Sequence, residues 1–219
     1  MRTTRGLVAG CVLASALLTL VGADTAVAQS NKDESRRTTM ADVQTLVDRN
    51  VEFAKSFNQG DLALLPRLSI LVLTCLDARV DPAHLFGLEL GDAVVMRNIG
   101  GRVTDEVIEQ IAILRGLAVV AGGTGFEVAI VHHTDCGASR FANAQVRQRM
   151  GEVAGTGEAA IKRLAIADPQ ISVAEDLDRL RAAPTLPDEL VVAGYVYDVT
   201  DGHVREVIAP ASLRKGDGS

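Results

Sequence analysis

A chain of 219 residues, of which 47% are hydrophobic and 23% charged, is long enough to bury one sizeable core in a single domain. Its formal net charge of -6 gives no electrostatic attraction for the phosphate backbone of nucleic acids. Aromatic residues make up 3% of the chain and tryptophan is absent, so stacking platforms for bases are scarce. We therefore expect no nucleic-acid partner and a small, neutral or solvated substrate.

Residues 1–28 have the composition of an export signal. Two arginines precede an uncharged, mostly apolar stretch over residues 6–23, and Ala26-Val27-Ala28 then supplies the small-x-small pattern that a signal peptidase recognises. We predict cleavage after Ala28, export to the periplasm, the cell envelope or the medium, and no membrane attachment of the mature protein. Two alternatives stay open. One is a retained membrane anchor, because the apolar stretch is close to the shortest length that spans a membrane. The other is lipid modification, because Cys11 lies in a sequence that resembles a lipoprotein signal.

The mature chain is predicted to begin with a flexible leader over residues 29–39, since this segment is polar and charged and has no hydrophobic period. Residues 40–219 are predicted to form a single domain. Its first element is an amphipathic helix over residues 41–58, because apolar residues recur there at three- and four-residue steps. Gly60 is expected to end this helix.

Five segments predict the strands of one sheet. Four of them are short and almost continuously apolar, which is typical of strands covered on both faces in a parallel sheet. The fifth follows a hairpin signal at Asp201-Gly202. The strands are predicted at residues 68–74, 93–97, 127–133, 189–199 and 204–208.

Helices are predicted between the strands. A short helix starts at Pro82, a second is capped by Thr104, and two more cover residues 139–150 and 158–167. The last covers residues 172–183 and is capped by its first residue, a serine. Strands that alternate with helices predict an α/β fold, with a mostly parallel four-stranded sheet flanked by helices and an antiparallel edge strand.

Three potential metal ligands follow two of these strands. Cys75 comes directly after the first strand, His133 ends the third, and Cys136 lies just beyond it. In such sheets, ligands bind beyond the carboxyl ends of the strands. Two sulfurs and one imidazole nitrogen are a known catalytic zinc set that leaves the fourth tetrahedral position open, so we predict one Zn2+ per chain. The alternative is a disulfide between Cys75 and Cys136, as expected for two cysteines in an exported chain.

Asp77 and Arg79 follow Cys75 closely and suggest how such a site would work. Zinc lowers the pKa of a bound water toward neutrality, so that a hydroxide is available to attack an electrophilic carbon. Two thiolates weaken this effect, because they cancel the charge of the ion. We predict that Asp77 accepts a hydrogen bond from the water and that Arg79 holds the carboxylate with two hydrogen bonds. An ordinary surface ion pair is the alternative.

The remaining histidines are not predicted as ligands. His132 precedes His133 on the same strand, so its side chain must point to the opposite face of the sheet. His84 and His203 lie near turns, where a histidine is usually solvated, and neither is assigned a role.

Three sequence blocks resemble the β-class carbonic anhydrases. They are TCLDARVDP at residues 74–82, GDAVVMRNIGG at residues 91–101 and HHTDCG at residues 132–137, within a match over residues 68–141. The resemblance implies that zinc binds to the two cysteines and the histidine named above, and that the aspartate and the arginine form a dyad. In some members this aspartate binds zinc in a resting form, which is a second role open to Asp77. The double glycine of the second block and the TDE run after it are closer to a short bacterial subgroup.

The resemblance also implies the reaction and the assembly. We expect reversible hydration of carbon dioxide to bicarbonate and a proton. We further expect a homodimer or a dimer of dimers, in which the helix over residues 41–58 packs on a second subunit. The alternative enzyme would hydrolyse carbonyl sulfide or carbon disulfide. An alternative from another class is a non-catalytic exported α/β protein, with a disulfide between the two cysteines.

Overall fold

The computed structural model describes residues 42–214, and the internal contacts of the chain divide it into two units, Met1–Asp61 and Leu62–Ser219. The predicted signal peptide, residues 1–28, and the predicted leader, residues 29–39, lie outside the described residues. The single domain over residues 40–219 stays a prediction. Among the described residues, no helix has both the length and the apolar character needed to cross a bilayer.

Helix α1, residues 42–56, belongs to the first unit and lies within the helix predicted over residues 41–58, but it ends at Ser56, so Gly60 does not end it as predicted. Its apolar side chains recur at the spacing of one helical face. These side chains are exposed, with relative exposures between 51% and 64% for Val43, Leu46, Val47, Val51 and Phe53.

One sheet of five strands forms the centre of the second unit. The strands are β1 (Ile70–Cys75), β2 (Val94–Asn98), β3 (Glu127–His133), β4 (Val191–Tyr197) and β5 (Val204–Ser212). They lie in the order β2-β1-β3-β4-β5. The first four strands in the chain run parallel and β5 pairs with β4 antiparallel, which confirms the predicted fold class. Because β2 and β3 lie on opposite sides of β1, the winding of the chain reverses at β1.

The described residues of this unit contain five α-helices: α2 (Pro82–Phe86), α3 (Asp105–Val120), α4 (Ala144–Ala154), α5 (Glu158–Lys162) and α6 (Pro169–Ala182). As predicted, Thr104 caps α3, where its hydroxyl oxygen accepts a hydrogen bond of 3.3 Å from the amide of Val107. Asp81 caps α2 in the same way, through the amide of Ala83.

Three predicted helix boundaries are wrong. Asn143 interrupts the helix predicted over residues 139–150, because its side chain accepts hydrogen bonds from the amides of Gln145 and Val146 in the first turn of α4. Ser172 is not a cap, because Asp168 supplies the capping oxygen and α6 begins one turn earlier. The helix predicted over residues 158–167 ends at Lys162, where α5 stops.

The strands β1 and β3 are buried on both faces, which explains their continuous apolar sequences. Leu71 and Leu73 of β1 and Ile130 of β3 are fully buried in the main core, together with Ile111 of α3 and Leu180 of α6. Burying a side chain of this size stabilises the fold by about 1.5–3 kcal/mol. The core therefore fixes the positions of the strand ends at which the predicted ligands lie.

The connection between β2 and α3 lies against the end of β1. Gly100 and Gly101 have φ angles of 79° and 67°, in the left-handed region that favours glycine. A Cβ atom on Gly101 would lie 2.8 Å from the carbonyl carbon of Thr74, closer than packing allows. The two glycines therefore bring the backbone of this turn beside Cys75.

Candidate metal centre

The sheet brings the three predicted ligands together. Cys75 is the last residue of β1 and His133 is the last residue of β3, and these two strands are hydrogen-bonded neighbours in parallel register. Cys136 follows on the loop after β3, directly before a 3-10 helix over Gly137–Ala142. All three residues are buried, and their ligand atoms lie within 4.8 Å of one another. The group could hold one metal ion.

The two sulfur atoms are spaced as ligands of one ion. Cys75 Sγ and Cys136 Sγ lie 3.8 Å apart, and both residues are free cysteines, so the structure does not contain the alternative disulfide. In a tetrahedral zinc site, two Zn–S bonds of about 2.3 Å place the sulfurs about 3.8 Å apart. The observed spacing therefore fits zinc.

His133 is oriented to offer its second nitrogen to a metal. Its Nδ1 lies 2.9 Å from the carbonyl oxygen of Thr134, and because a carbonyl only accepts, Nδ1 carries the proton. Nε2 is then an unprotonated acceptor, and it is buried without a hydrogen-bond partner in the described chain. A buried acceptor without a partner is costly, and a metal ion is the partner that this tautomer fits.

The electrostatics of the site favour a thiolate at Cys75. The pKa of Cys75 is lowered to about 4, first because the Cys136 thiol donates a hydrogen bond to its sulfur. The backbone amide of Asp77 also donates to this sulfur, over 3.4 Å, and lowers the pKa further. The pKa of Cys136 is raised in turn, because the Cys75 sulfur holds its proton. Metal ligation requires deprotonated sulfur, so half of this requirement is met before any ion binds.

Asp77 and Arg79 form the predicted pair. Arg79 donates from Nε to Asp77 Oδ1 over 3.0 Å and from Nη2 to Asp77 Oδ2 over 2.8 Å, which is the two-bond geometry of a guanidinium on a carboxylate. The Arg79 side chain, through these hydrogen bonds, holds the pKa of Asp77 well below its usual range. Asp77 is therefore ionised at any working pH, next to the ligand group.

Asp135 is a member of the site that sequence reasoning missed. Arg79 Nη1 donates to Asp135 Oδ2 over 2.9 Å, and Arg79 Nη2 donates to the carbonyl oxygen of Asp135 over 3.0 Å. Asp135 has a φ angle of 50°, which is unusual for a residue other than glycine. One guanidinium therefore ties the loop after β1 to the loop that carries Cys136. The only signal in the sequence was the position of Asp135 between two predicted ligands.

Arg97 on β2 is the second residue that was missed. Its Nε donates to the carbonyl oxygen of Cys75 over 3.0 Å, and its Nη2 donates to the carbonyl oxygen of Asp77 over 2.8 Å. Its Nη1 reaches Asp81 Oδ2 at 3.2 Å. Arg97 thus braces the backbone on which Cys75 and Asp77 lie.

The other histidines lie where the sequence placed them. His132 is fully buried, and its Nε2 lies 3.2 Å from the carbonyl oxygen of Gly101, away from the ligand group. His84 and His203 are exposed, and each lies beside an aspartate of its own turn.

Known proteins resemble this chain in sequence and in fold. The family profile described as carbonic anhydrase matches residues 70–204. β-Carbonic anhydrase 1 of Mycobacterium tuberculosis is 32% identical over 158 residues, which cover 72% of this chain and 93% of that protein. A carbon disulfide hydrolase of Acidianus sp. is 30% identical over 158 residues, which cover 62% of this chain and 75% of that protein.

A solved structure gives the same result. The crystal structure of carbonic anhydrase from Streptococcus mutans has a TM-score of 0.66 and 33% identity, and the match covers 75% of this chain and 96% of that one. The profile match spans more than half of the chain, and the relatives are matched over most of their own length. The chain therefore belongs to the β-carbonic anhydrase family.

Proposed function

We propose that this protein catalyses the reversible hydration of carbon dioxide to bicarbonate and a proton, with one zinc ion held by Cys75, His133 and Cys136. The observation that carries the proposal is the convergence of two sulfurs and one imidazole nitrogen within 4.8 Å, from the ends of neighbouring strands. A bound zinc ion supplies a Lewis acid that lowers the pKa of a water ligand toward neutrality.

Asp77 orients the attacking water in this mechanism. Because its carboxyl group is ionised beside Arg79, it accepts a hydrogen bond but cannot donate one. This hydrogen bond turns a lone pair of the water oxygen toward the carbon of the substrate. The proton released by hydration must leave by another route, since a carboxyl group with so low a pKa binds a proton only weakly.

Arg79 keeps Asp77 in the orienting position. Oδ1 of Asp77 accepts hydrogen bonds from the Arg79 amide over 2.9 Å and from Arg79 Nε over 3.0 Å, and Oδ2 accepts one from Nη2 over 2.8 Å. Both carboxylate oxygens are therefore engaged by Arg79. This supports the orienting role over the alternative in which Asp77 itself binds the metal.

The test is a zinc analysis and a rate measurement on one preparation of the protein. We expect about one zinc per chain, and carbon dioxide hydration in a stopped-flow assay that is lost on chelation and restored by added zinc. Protein that binds no zinc and hydrates no carbon dioxide after zinc is added would refute the proposal.

Carbon disulfide is the second candidate substrate, because a 30% identical relative is a carbon disulfide hydrolase. Zinc-loaded protein should be assayed on both substrates under the same conditions. A larger kcat/KM on carbon dioxide supports the primary proposal. Turnover of carbon disulfide alone would replace it with the second.

We propose that the protein is exported after cleavage at Ala28. The support is the arginine-containing head, the apolar stretch over residues 6–23 and the Ala-x-Ala end. N-terminal sequencing of protein from the exported fraction should find Gln29 as the first residue. A mature chain that keeps the apolar stretch as an anchor, or that starts at a lipid-modified Cys11, would overturn this cleavage site.

We propose that the protein is a homodimer in which α1 packs on a second copy. The apolar side chains of α1 are all at least half exposed, and soluble proteins seldom leave an apolar face of this kind uncovered. Sedimentation velocity should show a dimer for the full chain and a monomer for the Leu46→Asp, Val51→Asp double variant. A monomeric wild-type protein at micromolar concentration would refute this assembly.

A further inference from the structure

Three charged or polar side chains are buried near the turn of Gly100 and Gly101, and the mechanism above does not use them. Arg102, His132 and Asp176, here called the buried frame, have side-chain exposures of 8%, 0% and 0%. They come from the turn after β2, from β3 and from α6. Burying charges costs free energy unless they are paired, so their presence calls for a physical explanation.

The buried frame is held together by short contacts. Arg102 Nε donates to Asp176 Oδ1 over 3.1 Å, and His132 Nε2 lies 3.1 Å from Asp176 Oδ2, a close polar contact that is not a hydrogen bond. Arg102 is further fixed by hydrogen bonds from Nη1 to the carbonyl oxygen of Ala165 over 2.7 Å and from Nη2 to Glu175 Oε2 over 3.0 Å. The guanidinium of Arg102 is thus fixed from three sides.

The buried frame ends on the turn formed by Gly100 and Gly101. His132 Nε2 donates to the carbonyl oxygen of Gly101 over 3.2 Å, because that oxygen can only accept. Arg102 continues the same turn, and the side chain of Asn98 closes it with two hydrogen bonds of 2.8 Å to the backbone of Arg102. The side chains of His132 and Asn98 therefore hold the turn by hydrogen bonds, and its contact with the backbone of Thr74 holds it on the side of β1.

The same turn touches the metal centre. A Cβ atom on Gly101 would lie 2.8 Å from the carbonyl carbon of Thr74 and 3.0 Å from the amide nitrogen of Cys75, so the turn packs directly against the peptide bond that leads into the Cys75 ligand. Contacts that fix the backbone of a ligand also fix the direction of its sulfur, which tunes how strongly the sulfur binds a metal ion. The position of this peptide bond depends on the turn, and the turn depends on the buried frame.

We propose that Arg102, His132 and Asp176 are positioning residues, which fix the Gly100-Gly101 turn against the Thr74–Cys75 peptide bond and so hold the Cys75 ligand in the direction that the metal centre requires. This inference rests on the proposed zinc function. It gives the buried charges a role and explains why His132 adjoins a ligand without being one.

The test compares variants that loosen the turn with a variant that does not. Arg102→Met with Asp176→Leu replaces the buried ion pair by apolar side chains, a change that proteins often tolerate without loss of the fold. Asp176→Asn removes the charge and keeps the shape, so it serves if the double variant does not fold. Arg115→Met is the matched control. Arg115 lies on α3 and is also largely buried, and its replacement removes a single ion pair, with Glu189.

Two readouts separate tuning from general damage. The absorption spectrum of cobalt-substituted protein contains thiolate-to-metal charge-transfer bands, whose position and intensity depend on how the sulfurs are directed at the metal. Both frame variants should change these bands and weaken zinc binding by about 10–100-fold in a chelator competition. Arg115→Met should match the wild type in both measurements. Circular dichroism establishes that each variant is folded.

The outcomes distinguish this inference from the proposed function. Folded frame variants with the cobalt spectrum and zinc affinity of the wild type would overturn the positioning role and leave the zinc function intact. A wild-type protein that binds neither cobalt nor zinc would overturn the proposed function, and the positioning role with it.

Discussion

Replacement of Asp77 by asparagine tests the dyad most directly. Asparagine has the same shape as aspartate, but it is neutral and its amide nitrogen donates where a carboxylate oxygen accepts. The amide nitrogen of asparagine therefore cannot accept the hydrogen bond that a carboxylate oxygen of Asp77 accepts from Arg79. The clamp from Arg79, with bonds of 3.0 and 2.8 Å, cannot be kept in full, and the oriented acceptor for water is weakened.

The size of the effect follows from the kind of bond that is lost. A hydrogen bond to a charged group contributes about 1.5–3 kcal/mol. Since about 1.4 kcal/mol corresponds to a factor of ten in rate, we expect kcat/KM for carbon dioxide hydration to fall by about 10- to 150-fold. The zinc content should stay at the wild-type level, because Asp77 is not among the three ligands proposed.

The assay is stopped-flow hydration with a pH indicator, on protein whose zinc content has been measured. Asp178→Asn is the matched control, because Asp178 is an exposed aspartate that is paired with one arginine, Arg181, within its own helix. Its rate should equal that of the wild type. A zinc-loaded Asp77→Asn variant with wild-type kcat/KM would refute the role assigned to Asp77.

Three further predictions concern ligation, the core and titration. Cys136→Ser should lose zinc by elemental analysis, and a variant that retains a full complement would show that Cys136 is not a ligand. Leu73→Ala should lower the free energy of unfolding in urea by about 2–5 kcal/mol, since Leu73 is 0% exposed, and a change within about 0.5 kcal/mol would contradict this packing. In metal-free protein, the ultraviolet thiolate absorbance of Cys75 should persist down to about pH 4, because its lowered pKa keeps the sulfur ionised above that value. Loss of this absorbance near the usual thiol pKa would contradict the prediction.

The strands and the positions of the ligands could be predicted because local sequence determines them. A strand covered on both faces must be apolar along its whole length, as β1 and β3 are, and a chemically reactive residue directly after such a run marks the end of the strand. Cys75 and His133 were found in this way. Parallel pairing of the two strands then brought them together without further information.

The remaining contacts depend on segments that are distant in sequence. Asp135 lies 56 residues from Arg79, and Asp176 lies 74 residues from Arg102, so no local pattern joins either pair. A weak signal for Asp176 was present nevertheless. It occupies the same face of α6 as Val173, Leu177 and Leu180, and a charged residue among buried apolar ones requires a buried partner.

The spacing of the two sulfurs also determines how readily the metal-free protein would be oxidised. A gap of 3.8 Å separates Cys75 Sγ from Cys136 Sγ, and a disulfide requires only about 2.05 Å. In metal-free protein, a small movement of the loop that carries Cys136 would therefore let an oxidant join the two sulfurs in a disulfide. Zinc that engages both thiolates would block this reaction, so the working lifetime of the protein under oxidising conditions would depend on how firmly it keeps its metal.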